Sequence, residues 1–266
     1  MPGGGPRPIF PDMTAQISRP AQVFPPLDRE EELDRLSTVL REAGGGGLQI
    51  LNLVGAQAEG LLEMLPQTVR SGLERATMAA LEQSFRAAAA SRGRVGDASD
   101  WLTRAVTIGT GAAGGFGGLG SALAELPVTT TIILRAIQGI ADQHGFDPAK
   151  PEVRAACLRV FAASGPLEED GEADLSFVTM RLTVTGSAIH GLIAKVAPRL
   201  AVPLGQKLAA QAVPVIGAAA GAATNYVFTS YYQDMARVQF GLMRLSEQTG
   251  EPMEALVADL KKRVKV

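Results

Sequence analysis

One cysteine, Cys157, is too few for an internal disulfide, and a lone thiol fits a reducing compartment. Histidine is almost as scarce: His144 and His190 are the only two, and neither has cysteine or carboxylate neighbours at metal-ligand spacing. Neither a metal nor a cofactor is therefore expected. The patterns GxSxG and HExxH do not occur, so the sequence offers no ready serine or zinc hydrolase site. Aromatic residues make up 5% of the chain, so alanine, leucine, valine and glycine must fill the interior, and helices lined with them can approach closely. A net charge of -2 supplies no long-range attraction for nucleic acid, which is excluded as a partner. Charge is missing altogether from two windows, between Arg104 and Glu125 and from Leu208 to Gln233.

What remains is the composition of a folded helical protein. Hydrophobic residues form 46% of 266 positions and charged residues 20%, enough for a substantial core. Residues 1–27 are rich in proline and glycine and read as a disordered tail, although Ile9, Phe10, Val23 and Phe24 are apolar enough to dock. Residues 28–266 read as one multi-helix domain. Its first helix starts at Asp28, capped with Glu31, carries Leu33, Leu36 and Leu40, and is expected to stop at the run Gly44 to Gly47. A second carries Leu51, Val54, Ala58, Leu61, Leu62 and Leu65 up to Pro66, and a third runs from Thr68 to Ala90.

The uncharged centre reads as two helices joined near Gly120 to Leu126, with Pro127 in the first turn of the second and Gly145 at its end. The run VTTTII favours a strand in isolation, but the apolar stretch is too long for one strand and then turns amphipathic. Pro151 opens a helix with Val153, Cys157, Val160 and Phe161 on one face. A long helix follows from Leu175 to Val196, and Pro198, Pro203 and Pro214 are each expected to bend or end a helix. Helix continues from Val215 to Thr249, and a last amphipathic helix begins at Pro252 and ends in KKRVK. The fold class is all-α.

The glycines admit two readings. GTGAAG at Gly109 to Gly114 matches the dinucleotide pattern GxGxxG, but no alternating strand–helix pattern follows it. The pairs Gly111/Gly115, Gly114/Gly118 and Gly217/Gly221 are each four apart, the spacing by which helices pack backbone to backbone. A glycine costs about 1 kcal/mol per helical position relative to alanine, which close packing must offset. A plain membrane span is not expected. Val106, Ile108, Phe116, Leu119 and Leu123 together supply only about -2 kcal/mol of insertion energy, which one arginine at a helix centre cancels.

The few charges beside these apolar runs are the candidate site. Glu125 ends one run, Arg135 sits inside another, and Asn225, Asp234 and Arg237 follow the second glycine pair. Charges in apolar surroundings must be paired, so a buried polar network, structural or ligand-binding, is expected from these five. The alternative is a hydrolase using Glu125, Asp234 and Asn225, with burial raising one carboxyl for acid–base work.

Two long segments, GTGAAGGFGGLGSALAELPVTTTIILRAIQGIADQHG and AVPVIGAAAGAATNYVFTSYYQDMARVQFGLMRLSEQTG, resemble the EcsC protein family, as does the upstream AEGLLEMLPQTVRSGLERATMAALEQSF. The resemblance covers Leu48 to Gly250. Its signature positions fall here on Glu125, Leu126, Pro127, Arg135, Gly145, Pro214, Gly217, Gly221, Asn225, Asp234 and Arg237. It implies an all-helical bacterial protein tied to an operon with an ABC transporter, and it supplies no active site. Taken together, the expectation is a non-enzymatic helical protein in the cytoplasm or at the inner face of the membrane, associating with the membrane surface, lipid or a membrane transporter.

Overall fold

The computed structural model describes residues 24–53, 63, 65–91, 118–163, 175–179, 189–212 and 217–264. Among them are eight helices and no strand: α1 Arg29–Leu53, α2 Gln67–Ser91, α3 Gly118–Gln143, α4 Pro151–Val160, α5 Ser176–Thr179, α6 Ile189–Ala212, α7 Gly217–Thr249 and α8 Met253–Val264. The fold is all-α.

Local signals set most of the ends. Asp28 caps α1, its Oδ1 accepting the Glu31 backbone N–H at 2.9 Å, and Glu30, Glu31 and Glu32 favour the same positive pole. Gly145 ends α3 with φ at +88°, while Phe146 N–H donates to the Ala141 carbonyl and Gly145 N–H to that of Asp142. These two bonds form a Schellman closure around a left-handed residue. Gly250, at φ +74°, stops α7 with the simpler single bond, its N–H donating to the Ser246 carbonyl at 2.9 Å. Pro151 opens α4 and α8 begins directly after Pro252, as the sequence indicates.

Two expected breaks are absent. Gly44 to Gly47 lie inside α1, which continues to Leu53. Glycine ends a helix when the next residues favour leaving it, and the apolar Leu48, Ile50 and Leu51 carry the helical pattern onward. Pro127 lies inside a single helix rather than opening a new one. It removes one backbone rung, but its carbonyl accepts the Thr131 hydroxyl at 2.6 Å and that of Ser84 in α2 at 3.3 Å. The Thr131 and Ser84 hydroxyl oxygens lie 3.1 Å apart, so the proline turn is pinned to α2. Pro198 and Pro203 likewise sit within α6 without ending it. Of the expected helix from Leu175 to Val196, α5 and the start of α6 are seen; positions 180–188 between them lie outside the described residues, as do Leu61, Leu62, Gly109, Gly111, Gly114, Gly115 and Pro214.

The core is built around α7, which packs against α1, α3, α4, α6 and α8. The scarce aromatics gather along it: Tyr232 lies 5.3 Å from Phe161, 6.5 Å from Phe228 and edge-on at 5.4 Å to Tyr231, and Phe240 lies 5.7 Å from Phe146. Helix α1 applies Leu33, Leu36 and Leu40 to this core, all buried. It runs antiparallel to α7, since Arg29 meets Glu251 while Leu36 lies beside Gly241. The other end of the chain closes on the same helix. Arg29 bonds Glu251 at 2.7 Å and Asp259 at 2.6 Å, and Arg263 reaches Glu30 and Asp34. Thus the basic end of α8 is matched to acids of α1 as well as to its own helix pole. Among the described residues no helix is long and apolar enough to cross a membrane.

The α1–α7 contact depends on Gly241. A Cβ there would lie 2.8 Å from Leu36 Cδ2 and 3.2 Å from Glu32 Oε1, and both neighbours are buried. Gly241→Val is expected to destabilise by about 1–3 kcal/mol in denaturant unfolding. Combined with Leu36→Ala, which frees that space, the loss should be smaller than the sum of the two single losses, a coupling that independent sites would not show.

Candidate functional site

Helix α7 supplies three of the five candidate residues. Asn225 is fully buried, whereas Asp234 and Arg237 are half-buried and form an ion pair one turn apart. At about 100° per residue, the nine positions between Asn225 and Asp234 put them on roughly opposite sides of α7 and about 13 Å apart along its axis. The expected network therefore divides: Asn225 points into the core, while the Asp234–Arg237 pair occupies the flank. The pair satisfies both charges locally, and with about a fifth of each side chain exposed it needs no deep counter-ion. Arg135, in α3, is half-buried and engaged in the fold rather than free in solvent. Glu125 belongs to α3, but its side chain lies outside the described ones.

Asn225 heads a polar row that the sequence analysis did not single out. Asn225, Thr229, Tyr232 and Gln239 recur at helical spacing and are fully buried, and Thr224 and Gln233 flank them. The Thr229 hydroxyl and both amide atoms of Gln239 have no hydrogen-bond partner among the described residues. The fully buried Lys207 of α6 is a further interior polar group; it stands just before the second uncharged window. Such a row inside a helix bundle is costly unless it is bonded or solvated by something.

A second polar cluster gathers where α3 ends. The nearly buried Glu32 carboxylate is gripped by Arg35 at 2.6 and 2.8 Å, which holds the Arg35 guanidinium above its ordinary range. His144 Nδ1 lies 2.7 Å from the Ile140 carbonyl, and because a carbonyl can only accept, Nδ1 carries the proton. Arg244 of α7 donates to the His144 carbonyl at 2.8 Å, and the Phe24 ring lies over its guanidinium at 3.5 Å. Burial holds the His144 imidazole below the usual histidine range; the Arg35 and Arg244 charges push the same way, against the Ile140 bond and Glu32. Sequence alone marked His144 only as a helix-end residue, because its partners lie about a hundred positions away in each direction.

No group of three or more His, Cys, Asp or Glu among the described residues could hold a metal ion. Cys157 is fully buried in α4, in keeping with the core position expected of it.

The His144 environment fixes a pH dependence. The neutral imidazole is favoured in the folded chain, so its contribution to stability is fully present above the unfolded value near 6.5 and declines as pH falls through the window below it. The acids with depressed values, Glu30 and Asp259, act only at lower pH, nearer the ordinary carboxylate range. Chemical unfolding between pH 7.5 and 5 should thus show falling stability, and His144→Gln, which keeps an amide donor without titrating, should flatten the slope.

The comparisons bear on the chain as a whole. No curated protein and no solved structure matches it. The sequence profile of the EcsC protein family matches residues 73–245, from the middle of α2 to the last turns of α7, and so takes in all five candidate residues. A match over that much of the chain, including both uncharged windows and three of the helices packed on α7, makes this protein a member of the EcsC protein family.

Proposed function

We propose that this protein is a non-enzymatic helical module that docks reversibly on an anionic membrane surface through the outer face of α6. The observation that carries this reading is the make-up of that face. Among the described side chains of α6, Gly191, Ala194, Lys195, Pro198, Arg199 and Val202 are the exposed positions, at helical spacing, and Ile189–Ala212 contains no acidic residue. Val202 is also one of two large hydrophobic side chains strongly exposed among the described residues, the other being Val128 of α3. Two cations one turn apart, followed by a protruding valine, complement a surface of anionic headgroups over a shallow apolar layer.

The magnitudes favour a reversible contact. Each cation near an anionic leaflet contributes about 1 kcal/mol, and burying one valine side chain about 1.5 kcal/mol. That is far below what a spanning helix gains, in keeping with the weak insertion energy of the glycine-rich window. A membrane transporter lying in the same surface is the natural second contact for such a module. The hydrolase reading is less well supported, since Asn225 and Asp234 do not share a face of α7 and Asp234 is committed to Arg237.

Co-sedimentation with vesicles provides the test. The purified chain should pellet with vesicles rich in phosphatidylglycerol and stay in solution with purely zwitterionic ones. Lys195→Glu with Arg199→Glu should abolish pelleting, and salt raised from 0.05 to 0.5 M should weaken it strongly, because these cations are exposed and screened. Absence of pelleting with every anionic mixture removes the proposal.

A further inference from the structure

Arg244 is unusual among the charged residues of this fold. It is only 9% exposed, yet makes no ion pair with any described residue. Its neighbours are the His144 carbonyl and the Phe24 ring; Glu32 and Glu247 are near enough to be felt electrostatically, but Glu32 is already bonded to Arg35. A guanidinium so enclosed is ordinarily matched by a carboxylate or phosphate, whose two oxygens fit its paired donors.

What encloses it is a short segment, residues 24–27, that leads into the Asp28 cap of α1. Phe24 sits in a seat formed by Arg244 and Gly145, where a Cβ on the glycine would come within 2.6 Å of the ring. Gln248 holds the same segment from the other side, its Oε1 accepting the Leu27 N–H at 2.8 Å and its Nε2 donating to the Pro25 carbonyl at 3.4 Å. Pro25 and Pro26 have no N–H to add further bonds. Asp28 remains as the cap of α1 and Arg29 anchors the helix independently, so residues 24–27 can lift without unwinding it. The segment also lies outside the residues that match the family.

We propose that residues 24–27 are a displaceable strap over an oxyanion-binding arginine: with Phe24 lifted, Arg244 takes the phosphate or carboxylate group of a ligand. The ring covers the guanidinium and blocks approach; its removal opens the donors that Arg244 does not spend on the His144 carbonyl. The strap and the anion compete for access to one residue, so a partner that draws the strap away would switch the site on.

The test is isothermal titration of the full chain with inorganic phosphate and, separately, with acetate, which distinguishes the two oxyanions. Phe24→Ala should bind at least one of them about three- to thirty-fold more tightly than the unaltered chain, the range expected for loss of one cation–π contact. Arg244→Gln added to Phe24→Ala should abolish that gain. Gln248→Ala gives a second route, because Gln248 is exposed and its loss loosens the strap without touching the core. Hydrogen exchange at the Leu27 amide should then accelerate and oxyanion affinity rise. Faster Leu27 exchange with unchanged affinity for both anions overturns the proposal, as does a gain in Phe24→Ala that survives Arg244→Gln.

Discussion

The enclosure of α7 is the constraint on which the rest of the molecule depends. A helix with neighbours on almost every side cannot turn its polar residues to water, so each must be satisfied by packing, by a partner within the fold or by something brought in. Asn225, Thr229, Tyr232 and Gln239 run along that enclosed helix, while the Asp234–Arg237 pair lies on its flank. The aromatic contacts of Phe161, Phe228 and Tyr231 with Tyr232 stiffen the same stretch. Gly241 lets α1 close over its C-terminal half.

Closure at the two ends of the domain uses a different force. Arg29 and Arg263 bind α1 to α8 and to the turn after α7 through exposed or half-exposed carboxylates. Individually such pairs contribute little in water, but several sharing partners lose less side-chain entropy for each contact made. This closure lies outside the residues that match the EcsC protein family, as does the strap at Phe24. The family segment therefore supplies the enclosed α7 and its polar row, and α1, α8 and the segment before α1 flank it.

The proposed membrane face and the strapped arginine occupy different elements. The first is the outer side of α6, the second the junction of α3, α7 and the segment before α1. A protein built this way can hold to a surface with one face and respond to a ligand or partner with the other. Neither role calls for a nucleophile or a metal. Both need what this sequence has: a rigid helical frame with a few cations left without fixed partners.

The sequence by itself determined the helices wherever the signal was local. Heptad-like leucines placed α1, a capping aspartate started it, and Gly145 and Gly250 ended α3 and α7, because each effect acts within one turn of chain. It also marked Asn225, Asp234 and Arg237 as polar groups in apolar surroundings. Only the tertiary structure decided which interruptions were real: Pro127 stays inside α3, its turn set against Ser84 of α2, and Gly44 to Gly47 stay helical. It alone showed that Asn225 takes the covered side of α7 and Asp234 the flank, since spacing along a helix fixes the angle between two residues but not which side is covered. Glu32, Arg35, His144 and Arg244, with Phe24 above them, were invisible as a set. Their residues are scattered from position 24 to 244, and no local pattern records a contact that exists only once the chain has folded.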